Sequence, residues 1–152
     1  MAGITSALCT SFKVELLEGD HDFNNGADAF KVALLKANAS ITGTYGAATT
    51  NYSDVTGNSD ELPNGSGYTT GGYALTNVNP TSSGTTAFTD FSANAQWTSA
   101  TFTTRGCIIY NTSDGNSAVA VINFGADYSV SGGTFEIQWP TADSSNAIIR
   151  IA

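Results

Sequence analysis

The stretch QWTSATFTTRGCIIYNTSDGNSAVAVINF, residues 96–124, decides how this chain reads. From Gln96 to Thr103 the residues alternate: Trp97, Ser99, Thr101 and Thr103 fall on one side, Thr98, Ala100 and Phe102 on the other. A period of two belongs to a strand. Cys107 to Tyr110 is short and apolar, as a strand covered on both faces would be. Asn111 to Asn116 then centres on Asp114-Gly115, a pair that accepts positive φ cheaply and so favours a hairpin. Ala118 to Phe124 returns from it. The centre of the chain therefore predicts antiparallel pairing.

Working outward, the same grammar holds. Phe30, Val32 and Leu34 alternate with Lys31, Ala33 and Leu35, which predicts a half-buried strand. Tyr73 to Val78, closed by Asn79-Pro80, is strand-length, as is Thr86 to Phe91. Gly132-Gly133 precedes Phe135, Ile137 and Trp139, which share a face. Ala147 to Ile151 is apolar for a terminus, and an apolar terminus is expected to be tied into a sheet. Helix competes in one place: Ile4, Leu8, Phe12 and Leu16 recur every four residues, with Thr5 or Ser6 able to cap and Gly19 able to terminate. The reading is an all-β, antiparallel single domain over residues 1–152, a β-sandwich or jelly-roll-like fold with a short N-terminal helix. Residues 1–27 read as an N-terminal arm. Residues 38–72, rich in Gly and Thr and punctuated by Tyr45, Tyr52 and Tyr68, read as a projecting excursion with one short strand near Tyr52 to Val55.

Composition narrows the function classes. Charged residues make up 12% of the chain, against about 25% in ordinary soluble domains. Thr, Ser, Asn and Gly replace them, and neutral hydroxyls and amides cost less to dehydrate than ions. Such a surface suits packing against other chains. The formal charge of -8 disfavours direct nucleic-acid binding and docking on an anionic membrane. No apolar run reaches the length of a membrane-spanning helix. The N-terminus lacks the basic region and long apolar core of a signal peptide, so the chain is expected to be made and folded in a cytoplasm.

Candidate chemistry is sparse. Asp20-His21-Asp22 is the one His-containing cluster; it is either a metal site or, as residue type favours, a solvated turn. His21 with any of many Ser residues would be needed for a triad, and Asn64-Gly65-Ser66-Gly67 lacks a nucleophile-elbow context. Asp60-Glu61 and Glu136 are the carboxylates a glycosidase would need, with Glu136 expected to face solvent. Cys9 and Cys107 are a disulfide, a reactive thiol or two small buried hydrophobes; the last is the ordinary case. No catalytic residue, metal or cofactor is expected. Tyr45, Tyr52, Tyr68 and Tyr73 are the candidate binding or interface residues, able to stack on sugars or anchor a partner, or else to cover the sheet edge. Trp97 and Trp139 are expected in the core.

A resemblance adds to this. Phe30-Lys31-Val32-Ala33-Leu34-Leu35, Gly67-Tyr68-Thr69-Thr70-Gly71-Gly72, Ala87-Phe88-Thr89-Asp90-Phe91, Trp97-Thr98, Arg105-Gly106-Cys107-Ile108-Ile109-Tyr110-Asn111, Asn123-Phe124-Gly125 and Phe135-Glu136-Ile137-Gln138-Trp139-Pro140 occur in this order. The series resembles a family of small virion structural proteins of tailed bacteriophages. The resemblance implies a non-enzymatic particle component: first a capsid decoration (cement) protein, expected to be a homo-oligomer such as a trimer, contacting the major capsid protein or other virion proteins. A tail or neck fibre component, or a carbohydrate-binding adhesin, is the alternative.

Overall fold

The computed structural model describes residues 2–152 and is mostly β, with antiparallel sheets and one short N-terminal helix. In chain order the elements are β1 (Gly3–Ile4), β2 (Ala7–Leu8), α1 (Thr10–Glu18), β3 (Phe30–Lys36), β4 (Thr44–Tyr45), α2 (Ser53–Gly57), β5 (Tyr73–Ala74), β6 (Thr81–Ser83), β7 (Thr86–Thr89), β8 (Ala95–Asn111), β9 (Ser117–Ile137) and β10 (Ile149–Ile151). The main sheet has the order β2-β9-β8-β3-β5. A smaller sheet, β10-β7-β6, and a parallel pair, β1-β4, complete the fold.

The β8–β9 hairpin is the spine. Its turn forms as Asp114-Gly115 predicts: Gly115 and Asn116 both take positive φ, and the Ser117 amide bonds the Asp114 carbonyl. The separate strands expected at 96–103 and 107–110 are one strand of 17 residues. Likewise β9 runs for 21 residues through Gly125 and Gly132, both at positive φ. Register shifts near Trp97, Thr104 and Ile109 are bulges that absorb the irregular residues without ending the strands.

β3 is an interior strand of this sheet, between β8 and β5. It pairs with β8 along its whole length on one edge, and with β5 plus a bridge from Leu35 to Glu61 on the other. Val32, Ala33, Leu34 and Leu35 are all fully buried. The alternation read as half-buried is therefore covered on both faces, because the flanking segments fold back over it.

Those segments are the ones expected to project. In residues 1–27, β1 and β2 pair with β4 and β9, and Phe12 and Phe23 join the core, with Phe23 stacked on Phe30 at 4.5 Å between ring centres. The helix begins at Thr10, later than the four-residue spacing from Ile4 implied, and ends as expected at Gly19 in the left-handed region. Residues 38–72 hold β4 and α2, with helix where a strand near Tyr52 to Val55 was expected. The segment then runs beside β3: the Lys36 amide bonds the Asp60 carbonyl, and the Leu62 amide bonds the Leu34 carbonyl. The C-terminal strand is paired as expected, β10 against β7.

Candidate functional site

The chemistry-bearing side chains gather in two buried polar centres. The first is built on Asp60 and Glu61, adjacent residues beside β3. Asp60 accepts hydrogen bonds from the Thr42 and Gly43 amides, the Thr42 hydroxyl and the Tyr45 hydroxyl. Glu61 accepts from the hydroxyls of Tyr52 and Tyr68 and from the Gly71 amide. The Tyr68 hydroxyl in turn accepts from the Leu34 amide at 3.0 Å, deep in the sheet.

Three of the four tyrosines named from sequence thus spend their hydroxyls on this carboxylate pair. Tyr45 and Tyr68 are buried, and Tyr52 is half-buried with its ring stacked on Tyr110 at 4.3 Å. Tyr73 is half-buried against Trp97. Their rings are turned to the protein's own interior and offer no open stacking platform. A signal for this was present: phenolic hydroxyls buried in a core need acceptors, and Asp60-Glu61 is the acidic pair nearest in sequence.

The electrostatics follow from the bonding. Burial raises the Asp60 carboxyl, but the bonds from Tyr45, Gly43 and Thr42 outweigh burial and hold it below its usual value. Burial, and then the contact with the carboxylates, pushes the Tyr45, Tyr52 and Tyr68 hydroxyls well up. Tyr110 rises to about 12, again chiefly by burial. These phenols are fixed donors, and the centre is a clamp that holds 38–72 on the sheet.

A pH effect follows. A depressed carboxyl adds stability that is complete above its unfolded value of 3.8 and is lost as pH falls through the folded value. Asp90 has the opposite sign: burial raises it, so its contribution is present at low pH and lost as pH rises. Comparing wild type with Asp60→Asn cancels the Asp90 effect. Asp60→Asn is expected to melt about 5–10 °C lower at neutral pH, with the gap shrinking below pH of about 4. Thermal melts at several pH values read this directly, and a pH-independent gap contradicts it.

The second centre surrounds His21. The expectation of a solvated turn is corrected: the imidazole is buried, packed on Phe12 at 5.0 Å between ring centres. Nε2 lies 2.9 Å from Glu15 Oε2 on α1, and Nδ1 accepts from Asn111 Nδ2 at 2.9 Å. The same amide donates to Asp28 Oδ2 at 2.8 Å, while Asn111 Oδ1 accepts from the Ser113 and Asp114 amides. Those four contacts leave the amide one orientation. They make Nδ1 an acceptor and place the N–H on Nε2, donating to Glu15. Asp114 lies close enough for Glu15, His21 and Asp114 to look like a ligand set. A metal at Nε2 would require the proton on Nδ1, where Asn111 presents another donor. The arrangement is a hydrogen-bonded pin between α1 and the hairpin turn.

The other candidates lie apart from both centres. Glu136 is on β9, half-buried and engaged by Gln96 and Gln138. Trp97 is in the core, and Trp139 is half-buried with its indole N–H bonded to the Ala93 carbonyl. Cys9 and Cys107 are buried free thiols. Burial, with Glu15 and Asp54 nearby, raises Cys9 to about 11; burial alone raises Cys107 further. Neither is poised as a thiolate at neutral pH.

Sequence reading missed two surface faces. One joins α1 to β10 and exposes Leu17 (89%), Ile151 (58%) and Val14 (51%). The other lies on β9, where Tyr128 (51% exposed), Phe124, Phe135 and Ile137 line a shallow apolar groove of about 280 Å³. Comparison with protein-family models, with curated proteins and with solved structures found no match to this chain.

Proposed function

We propose that this chain is a structural component of a tailed-bacteriophage particle, a capsid decoration protein that reinforces the shell by contacts with the major capsid protein and with its own copies. The observation that carries the reading is the pair of exposed apolar faces, at α1–β10 and along β9, on a surface poor in charge. Apolar side chains clustered at a surface mark sites of association. The ordered sequence resemblance to small virion proteins points the same way. The buried carboxylates, tyrosines and His21 support it too, because each is engaged in holding the fold together. The β9 face, uncharged from Tyr128 to Phe135, also predicts attachment there that weakens little with added salt, unlike one built on ion pairs.

Counting copies in purified particles tests the proposal. A number matched to the shell subunits is the expected result. A handful per particle assigns the chain to the tail or neck instead, and absence from particles overturns the reading.

A further inference from the structure

The outer edge of β9 is open. β2 covers that edge only at Ala120 and Val121, and among the described residues no strand pairs with it from Gly125 to Ile137. Strand edges in monomers are normally guarded by lysine, proline or very short length. This one has neither residue between Asn123 and Ile137. The bulges leave it a regular stretch at Tyr128 to Ser131, paired inward with Thr101 to Thr104.

The face beside the edge is also unfinished. Phe102 packs edge-on against Tyr68 and lies 5.5 Å from Phe135. Phe135 touches Phe124, and Phe124 touches Tyr128. This aromatic row starts in the core and ends in solvent at Tyr128. An added strand would both satisfy the edge and roof the groove.

We infer that the open edge of β9 pairs with the same edge of a second copy, antiparallel across a two-fold axis near Val130. Charge selects this occupant. Two copies at -8 repel wherever their carboxylates meet, yet Tyr128 to Phe135 carries no charge. The flanking acids are occupied within the chain: Asp127 faces Arg105 at 3.8 Å and accepts from the Asn38 amide, and Glu136 is held by two glutamines. A basic partner would find nothing to bind there, and an acidic one would be drawn to Lys13 and Arg150 beside the other face. A strand edge is its own complement under a two-fold axis. Pairing also sets the Tyr128 and Val130 rows side by side, extending one apolar face across both copies.

The inference goes beyond the particle reading and can fail separately from it, since it concerns the purified full-length chain. Sedimentation of wild type is expected to show a reversible species of twice 15.7 kDa. Val130→Lys and Tyr128→Lys should each weaken it roughly a hundredfold. Cysteine substitution guards against variants that misfold. Both native thiols are buried, so Val130→Cys, which meets its own copy on the axis, or an equal mixture of the Ser129→Cys and Ser131→Cys chains, which face each other across it, should form an interchain disulfide on mild oxidation, while Leu17→Cys on the other apolar face should not. A wild-type monomer, a trimer, or crosslinking through Leu17→Cys alone overturns the inference.

Discussion

Gly72→Ala is expected to lower the melting temperature by about 10 °C, a loss of about 3–5 kcal/mol. Gly72 takes φ +78, and a Cβ there would stand 1.9 Å from the Val32 carbonyl oxygen and 2.7 Å from Ala33 Cα. The obstacle is the backbone of β3, an interior strand of the sheet fully buried from Val32 to Leu35, which has no room to retreat. Relief must come from the other side, by lifting residues 69–75. That lift breaks the β5 pairing to Lys31 and Val32, the Gly71 amide bond to Glu61 and the Tyr110 hydroxyl bond to the Gly71 carbonyl. Gly84→Ala is the control. Gly84 also has positive φ, at +59, but a Cβ there meets nothing within 4 Å. It should cost only the backbone strain, about 1 kcal/mol. Equal losses in the two variants would mean that the 69–75 loop does not press on β3.

The hairpin was legible because its information is local. Alternation over Gln96 to Thr103 and the Asp114-Gly115 turn need no knowledge of distant residues. Gly125 and Gly132 were harder, since a glycine at positive φ serves equally to end a strand or to bulge one. The choice is made by the partner strand, which keeps pairing past both. The segment 38–72 misled for a related reason. Its glycines and threonines carry little periodicity, and what seats it is a set of long-range bonds from Tyr45, Tyr52 and Tyr68 to Asp60 and Glu61, and from Tyr68 to Leu34. Sequence offers those tyrosines as outward anchors, and the fold turns their hydroxyls inward. His21 was misread most completely. Two flanking aspartates describe a solvated turn, and only the fold brings Asn111, ninety residues away, against its ring. The apolar faces escaped because periodicity tells which residues share a side, and says nothing of whether another layer covers that side.

Asn111→Asp tests the second polar centre most severely. The change keeps the size of a fully buried side chain and replaces its two-proton donor with an oxygen. Asn111 Nδ2 now serves His21 Nδ1 and Asp28 Oδ2, at 2.9 and 2.8 Å. An introduced carboxylate would face the Asp28 carboxylate at hydrogen-bond distance, with Glu15 and Asp114 close by on the far side of the imidazole. An uncompensated buried charge costs about 3–5 kcal/mol, so a drop of about 10 °C at neutral pH is expected. Two carboxylates this close share one proton readily, which raises the pKa of the introduced group. Its penalty should therefore be largest at neutral pH and shrink as the solution is acidified, the reverse of the wild-type loss from Asp60. Asn111→Ala supplies the comparison: it forfeits the same bonds without adding charge, so its deficit should not shrink on acidification. If the two variants keep a constant difference from pH 7 to acid, the amide does not separate His21 from Asp28, and the pin between α1 and the hairpin turn is built some other way.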